Sequence, residues 1–285
     1  MKFTVFTVMT PDLEPKELIT ALKQYGYDGV EWRCTRIPEE RKEEKPSFWG
    51  NHHCTLSPDA ADEELEQWLS WTQDAGMEVT SVTPYLQCGD LTSTERVLHI
   101  ARKLGAKAIR LGVPRYDRTQ NYNDLYHQAE QYLSEAVQLC KQYGIKGLIE
   151  THHVTIAPSA SLAYRLVHRY DPEHIGVLFD PGNMVHEGYE NYRMGLELLG
   201  PYLAHVHVKN ARWVPGVEQE DGTNSWNVEW APVHQGVVDW KQVLSDLKAV
   251  GYDGTIGFED FSRAYDSREA LQRNIQYIRG IWEGL

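Results

Sequence analysis

The chain has 285 residues, 24% of them charged and 41% hydrophobic, with a formal charge of −13 at pH 7. That is the composition of a globular protein with enough apolar material for a full core, and the acidic balance counts against a duplex nucleic-acid binder, which carries a basic face. Cys34, Cys54, Cys88 and Cys140 form no CxxC pair, so neither a disulfide framework nor a zinc knuckle is expected.

The chain opens on the short apolar run Met1-Lys-Phe-Thr-Val-Phe-Thr-Val8. It is too short for the apolar region of a secretory leader, and no later run approaches the ~20 apolar residues of a membrane span. The expectation is a cytoplasmic protein with no membrane or nucleic-acid partner; assembly into a homo-oligomer is left open. Apolar or β-branched runs then recur at 3–8, 28–33, 77–85, 107–112, 146–151, 175–180, 203–209 and 254–260. Amphipathic stretches lie at 15–25, 62–75, 93–104, 124–143, 159–170, 190–199, 239–250 and 267–282. Several end on a glycine, as at Gly26, Gly105, Gly144 and Gly251, the signal of a helix C-terminus. Eight such repeats predict an α/β fold, a (β/α)8 TIM barrel forming one domain over residues 1–285. The alternative, an open doubly wound sheet, lacks the GxGxxG that would follow its first strand.

Two connections after strands are long. Residues 34–61 contain the charge run Glu39-Glu-Arg-Lys-Glu-Glu-Lys45, read as solvated surface. Residues 210–238 contain Trp213, Trp226 and Trp230, read as a binding loop or a satellite apolar cluster. Both belong to the face of a barrel where active sites lie.

Four side chains close four successive apolar runs: Glu150 in Gly147-Leu-Ile-Glu-Thr-His152, Asp180 in Ile175-Gly-Val-Leu-Phe-Asp180, His207 in Leu203-Ala-His-Val-His-Val-Lys209, and Glu259 in Gly254-Thr-Ile-Gly-Phe-Glu-Asp260. They are 30, 27 and 52 residues apart. A strand with its crossover takes ~30 residues, so each gap is one repeat and the last is a repeat plus an insertion. One such residue is commonly a helix cap or half of an ion pair. Four of the right type on consecutive repeats predict one site for a divalent ion: Mn²⁺, Mg²⁺, Co²⁺ or Zn²⁺. Glu150 and His152 are two apart, as are His205 and His207, so each pair shares one side of its strand. His152 is therefore expected to reach substrate hydroxyls, and His205 is read as a deeper core histidine. Asp180-Pro-Gly-Asn183 is expected to turn tightly and bring Asn183 over Asp180, where Asn183 joins the expected substrate contacts. Glu31 is expected to be buried against an arginine such as Arg33 or Arg110, with the adjacent Trp32 among the substrate contacts. His52 and His53 are read as structural.

These residues resemble the xylose-isomerase-like TIM barrels. The resemblance runs from Tyr25-Gly-Tyr-Asp-Gly-Val-Glu31 through the Glu150, Asp180 and His207 strands to Gly251-Tyr-Asp-Gly-Thr-Ile-Gly-Phe-Glu-Asp260. It implies one metal held by Glu150, Asp180, His207 and Glu259, with Lys209 or Arg212 holding substrate oxygens. The activity it implies is sugar isomerisation or epimerisation of a small polyhydroxylated carbonyl compound through an enediolate. Glu150 and Glu259 would move the proton. Epimerases of the group often carry His where this chain has Asn183, which keeps an inosose-type dehydratase as an alternative. An endonuclease IV-like nuclease and a non-catalytic carbohydrate-binding barrel are further alternatives. With no Gly-rich phosphate cradle after the seventh or eighth strand, the expected substrate is an unphosphorylated sugar or polyol derivative.

Overall fold

A computed structural model describes residues 1–285. Eight parallel strands close into a barrel: β1 (Lys2–Phe6), β2 (Gly29–Cys34), β3 (Glu78–Pro84), β4 (Ala108–Arg110), β5 (Lys146–Glu150), β6 (Ile175–Phe179), β7 (Leu203–Val208) and β10 (Thr255–Phe258), the last pairing with both β7 and β1. Around them run α1 (Pro15–Tyr25), α2 (Asp62–Asp74), α3 (Leu91–Lys103), α4 (Tyr122–Tyr143), α5 (Ala160–Val167), α6 (Pro181–Glu187), α7 (Tyr192–Leu199), α8 (Trp240–Ala249) and α9 (Ser267–Glu283). The expected (β/α)8 architecture is present, with each expected strand within a few residues of its place. None of the helices is long and apolar enough to cross a membrane.

Strand side chains alternate between two environments, which is the period-2 rule applied to a sheet buried on both faces. Val5, Val30, Trp32, Val82, Ile109, Ile149, Val177, Phe179, Val206, Val208, Ile256 and Phe258 join the main core between barrel and helices. The opposite set fills the barrel itself. Ala108, Leu148 and Leu178 make a small apolar cluster there, and polar side chains from the other strands occupy the rest.

Four expected helix ends are glycines in the left-handed region, Gly26, Gly105, Gly144 and Gly251, where a side chain would clash with its own carbonyl.

Two elements were not expected. Residues 210–238 are not an irregular loop: β8 (Ala211–Glu218) and β9 (Asn224–Trp230) form an antiparallel hairpin pairing Ala211 with Trp230 and Arg212 with Glu229. Trp213 Nε1 ties it down by donating to the carbonyl of Val185 at 3.1 Å. The Asp180-Pro-Gly-Asn183 segment is the first turn of α6 rather than an isolated tight turn. Asp180 caps it by accepting from the Asn183 amide at 2.9 Å, and Pro181 takes the first helical position, where its missing N–H costs nothing. The 34–61 connection is pinned by Arg96, which donates to the carbonyls of Pro58 and Ala60. Its charge run is exposed.

Candidate metal centre at the carboxyl ends of the strands

Because β5, β6, β7 and β10 are neighbouring parallel strands of the barrel, their last inward-facing residues come together. Glu150, Asp180, His207 and Glu259 are all buried, and one donor atom from each lies within 4.8 Å of the others. His207 Nδ1 is 3.6 Å from Glu150 Oε1, 3.9 Å from Asp180 Oδ2 and 3.6 Å from Glu259 Oε2. These spacings are too long for hydrogen bonds. They are close to the separation of about 3.4 Å between donors sharing a tetrahedral ion at about 2.1 Å. Nδ1 has no hydrogen-bond partner although it is buried, a costly state for a polar atom. Three hard oxygens and an unpaired imidazole nitrogen fit a divalent cation.

Neighbouring side chains fix the carboxylates. Arg110 Nη1 donates to Glu150 Oε2 at 2.6 Å and is itself anchored on the carbonyl of Pro84. Asn183 Nδ2 donates to Glu150 Oε1 at 3.1 Å and to Asp180 Oδ2 at 2.8 Å. Lys209 Nζ lies 2.9 Å from Asp180 Oδ2, contacts Glu259 Oε2, and donates to Asn183 Oδ1 at 3.2 Å. It also lies over the rings of Trp230 and Phe261.

These contacts set the charges. Burial would raise the Glu150 pKa, but the Arg110 charge and the His207 contact hold it well below the usual carboxylate value. Burial raises Asp180, with Lys209 working against it. Burial disfavours a charged His207, yet Glu31 and the contacts with Glu150 and Glu259 raise its pKa well above that of a free imidazole.

Glu150 and Glu259 line an open cavity of about 870 Å³, and Asp180 and His207 lie buried behind them. His152, Asn183 and Lys209 also line the cavity, as do Trp49, Tyr85, Arg110, His153, Trp230 and Phe261. His152 Nδ1 is 2.7 Å from the carbonyl of His153, and the His153 ring stacks on His186 at 3.9 Å.

Two expected substrate contacts are elsewhere. Trp32 is fully buried outside the barrel and packs on Trp68 of α2 at 4.7 Å. It is adjacent to the inward Glu31, so strand alternation turns it away from the site. Arg212 pairs with Glu229 at 3.4 Å on exposed hairpin positions, one position along from the Ala211–Trp230 pair, whose Trp230 lines the cavity. The expected partner of Glu31 also differs. It contacts His205 and His207, whereas Arg110 goes to Glu150. His52 is structural, with Nε2 3.1 Å from the carbonyl of Val8. Arg110 is a further residue of the site, and the available signal was a charged side chain inside the fourth apolar run, 107–112.

A sequence model of the family described as xylose isomerase-like TIM barrel matches residues 19–281. IOLI protein with a bound zinc atom superposes with a TM-score of 0.75 at 18% identity, covering 100% of this chain and 99% of that one. The apo 3-keto-D-glucoside 4-epimerase YcjR from E. coli gives a TM-score of 0.71 at 17% identity, covering 98% of this chain and 99% of that one. At these identities the likeness is one of fold. Uncharacterized protein MJ1311 of Methanocaldococcus jannaschii is 27% identical over 154 residues, 51% of this chain and 48% of that protein. The match thus spans about half the length of that relative.

Proposed function

Since the chain belongs to the xylose isomerase-like TIM barrel family, we propose that it is a divalent-metal-dependent sugar isomerase or epimerase acting on a small, unphosphorylated polyhydroxylated carbonyl compound. The observation that carries this reading is the buried set Glu150, Asp180, His207 and Glu259, two of which, Glu150 and Glu259, open onto a cavity. These four residues would hold the ion, with Mn²⁺, Mg²⁺, Co²⁺ and Zn²⁺ all compatible with the donors. When bound, it would supply a Lewis acid for the negative charge that develops as a carbon beside a carbonyl loses its proton.

The chain's own residues would do the rest. Glu150 and Glu259 come from β5 and the end of β10, the outer two of the four neighbouring strands β10-β7-β6-β5, and would flank the bound carbon from two sides. One removes the proton and the other returns it, as an enediolate forms and collapses. Arg110 and Asn183 orient Glu150, and Lys209 orients Glu259. His152 at the wall would bind substrate hydroxyls, and Trp230 and Phe261 would keep water from the reacting carbon.

One observation favours a dehydratase as second reading. Asn183 is an amide and so offers no titratable group to substrate, and both its side-chain polar atoms are already engaged within the cluster.

The test is incubation with ketoses, aldoses and keto-inositols in D₂O with each metal, followed by NMR and mass spectrometry. Deuterium incorporated beside the carbonyl in a product of unchanged formula is the expected result. Loss of water from substrate would establish the dehydratase instead, and no exchange with any substrate and metal would sink both.

A further inference from the structure

His207 is gripped from inside the barrel by a carboxylate with no part in the cluster itself. Glu31 on β2 is fully buried. Its Oε2 lies 3.1 Å from His207 Nε2 and accepts from Ser81 Oγ at 3.4 Å. Its Oε1 accepts from Thr4 Oγ1 at 2.7 Å and lies 2.9 Å from His205 Nε2. His205 is held in turn through Nδ1, 2.6 Å from Thr255 Oγ1. Space for this network comes from Gly257, where a Cβ would meet Glu31 Oε1 at 1.8 Å. The Phe6 ring, stacked 5.8 Å from that of His207, closes the remaining side.

An ionised carboxylate only accepts hydrogen bonds, so each imidazole facing Glu31 must present an N–H. For His207 that N–H is on Nε2. Its other nitrogen, Nδ1, is then the one aimed at the three cluster carboxylates, and it is the one without a partner. Which nitrogen of an imidazole is free is set by the hydrogen bond that the other one makes.

We propose that Glu31 is a positioning residue: it keeps a proton on Nε2 of His207 and presents Nδ1 to Glu150, Asp180 and Glu259, with His205 as the second donor that holds the carboxylate in place. The inference rests on the reading of the four-residue cluster as a metal site. It assigns a role to the Glu of Tyr25-Gly-Tyr-Asp-Gly-Val-Glu31, which packing alone does not require.

The test uses the full chain stripped of metal and titrated with Zn²⁺ by calorimetry, beside ¹⁵N NMR of the histidine rings. In the metal-free wild type, Nε2 of His207 carries a proton whether the ring is neutral or charged. In the Zn²⁺-loaded protein Nδ1 is the bound nitrogen, and the Nε2 proton is shielded from exchange. Glu31→Gln is expected to weaken Zn²⁺ binding roughly ten- to hundredfold, the usual effect of losing such a partner, and to expose the Nε2 proton to exchange. Should Glu31→Gln fail to fold, the near-isosteric Thr4→Val removes one hydrogen bond to the carboxylate and should shift both readouts the same way by less. The proposal is overturned if a folded Glu31→Gln variant binds Zn²⁺ as tightly as wild type, or if metal-free wild type holds His207 with its only ring proton on Nδ1. Wild type that binds no Zn²⁺ would overturn the metal reading, while the ring-proton measurement on metal-free protein would still decide the role of Glu31.

Discussion

Lys209 Nζ lies 2.9 Å from Asp180 Oδ2, and both side chains are buried. The strand that delivers His207 to the carboxylates thus delivers an ammonium two residues later. This lysine offsets the carboxylate charge before any metal arrives. It also lies where it must be displaced from Asp180 or tolerated beside the ion when a metal binds.

Lys209→Met should therefore be destabilised as metal-free protein. Removing one partner of a buried ion pair costs about 3–5 kcal/mol. Saturating Mn²⁺ should return most of that loss, because the ion replaces the missing charge. Thermal unfolding with and without Mn²⁺ checks this, and a loss that metal leaves untouched would contradict the arrangement described.

Asp180→Ala should abolish metal binding. Wild type with metal at a hundredfold excess over its dissociation constant should gain about 2.7 kcal/mol of stability, and the variant none. Metal-free Asp180→Ala should also lose stability, about 1 kcal/mol from the missing cap of α6 and more from the buried Lys209, which keeps only Glu259 as a carboxylate partner. Elemental analysis and paired melting curves separate the two effects. Metal retained by the variant would refute the ligand set.

Acid should expose His52. Burial and then the Arg33 charge depress its pKa to about 3. Between pH 6.5 and 3 the unfolded chain protonates this imidazole and the folded chain does not, so stability rises with pH across that window. The contribution is complete above pH 6.5 and is lost progressively as pH falls toward 3, amounting to up to about 5 kcal/mol. His52→Gln can keep a hydrogen bond to Val8 without titrating. Its stability should decline less steeply than wild type from pH 6.5 to 4, as read from denaturant midpoints. Parallel curves would reject the assignment.

Trp32 and Arg212 should behave as structural and surface residues. Trp32→Ala should lose about 3–5 kcal/mol of stability with KM unchanged in whatever fraction folds. Arg212→Ala should cost at most about 1 kcal/mol and leave kcat/KM within a factor of two. A raised KM in either variant would return that residue to the substrate contacts.

The barrel was legible in the chain because buried parallel strands read as short apolar runs and because glycines mark four helix ends. Glu150, Asp180, His207 and Glu259 were legible for the same reason, since each ends such a run. Trp32 was misread because adjacent strand residues point to opposite sides, and one sequence does not reveal which side faces inward. The 211–230 hairpin had a local signal in Asp221-Gly222, a turn pair with Gly222 in the left-handed region, but its strands lack the clean apolar alternation that would have marked them. The pairing of Glu31 with His205 and His207 joins residues 174 and 176 positions apart, and no local pattern encodes such a contact.

That separation bears on how the chain reaches its native state. Glu31 belongs to the second strand, and the imidazoles that accept it as a partner arrive only with the seventh. Until the ring of strands shuts, the early part of the chain must either leave this carboxylate in water or bury it unsatisfied, which is costly. Contacts of such long range reward the chain late, after most of the loop entropy has been spent. The centre of the barrel thus works as a latch that engages only when the second and seventh strands face each other across the closing ring. A half-barrel ending before residue 203 should persist as an open, solvated intermediate rather than as a packed one.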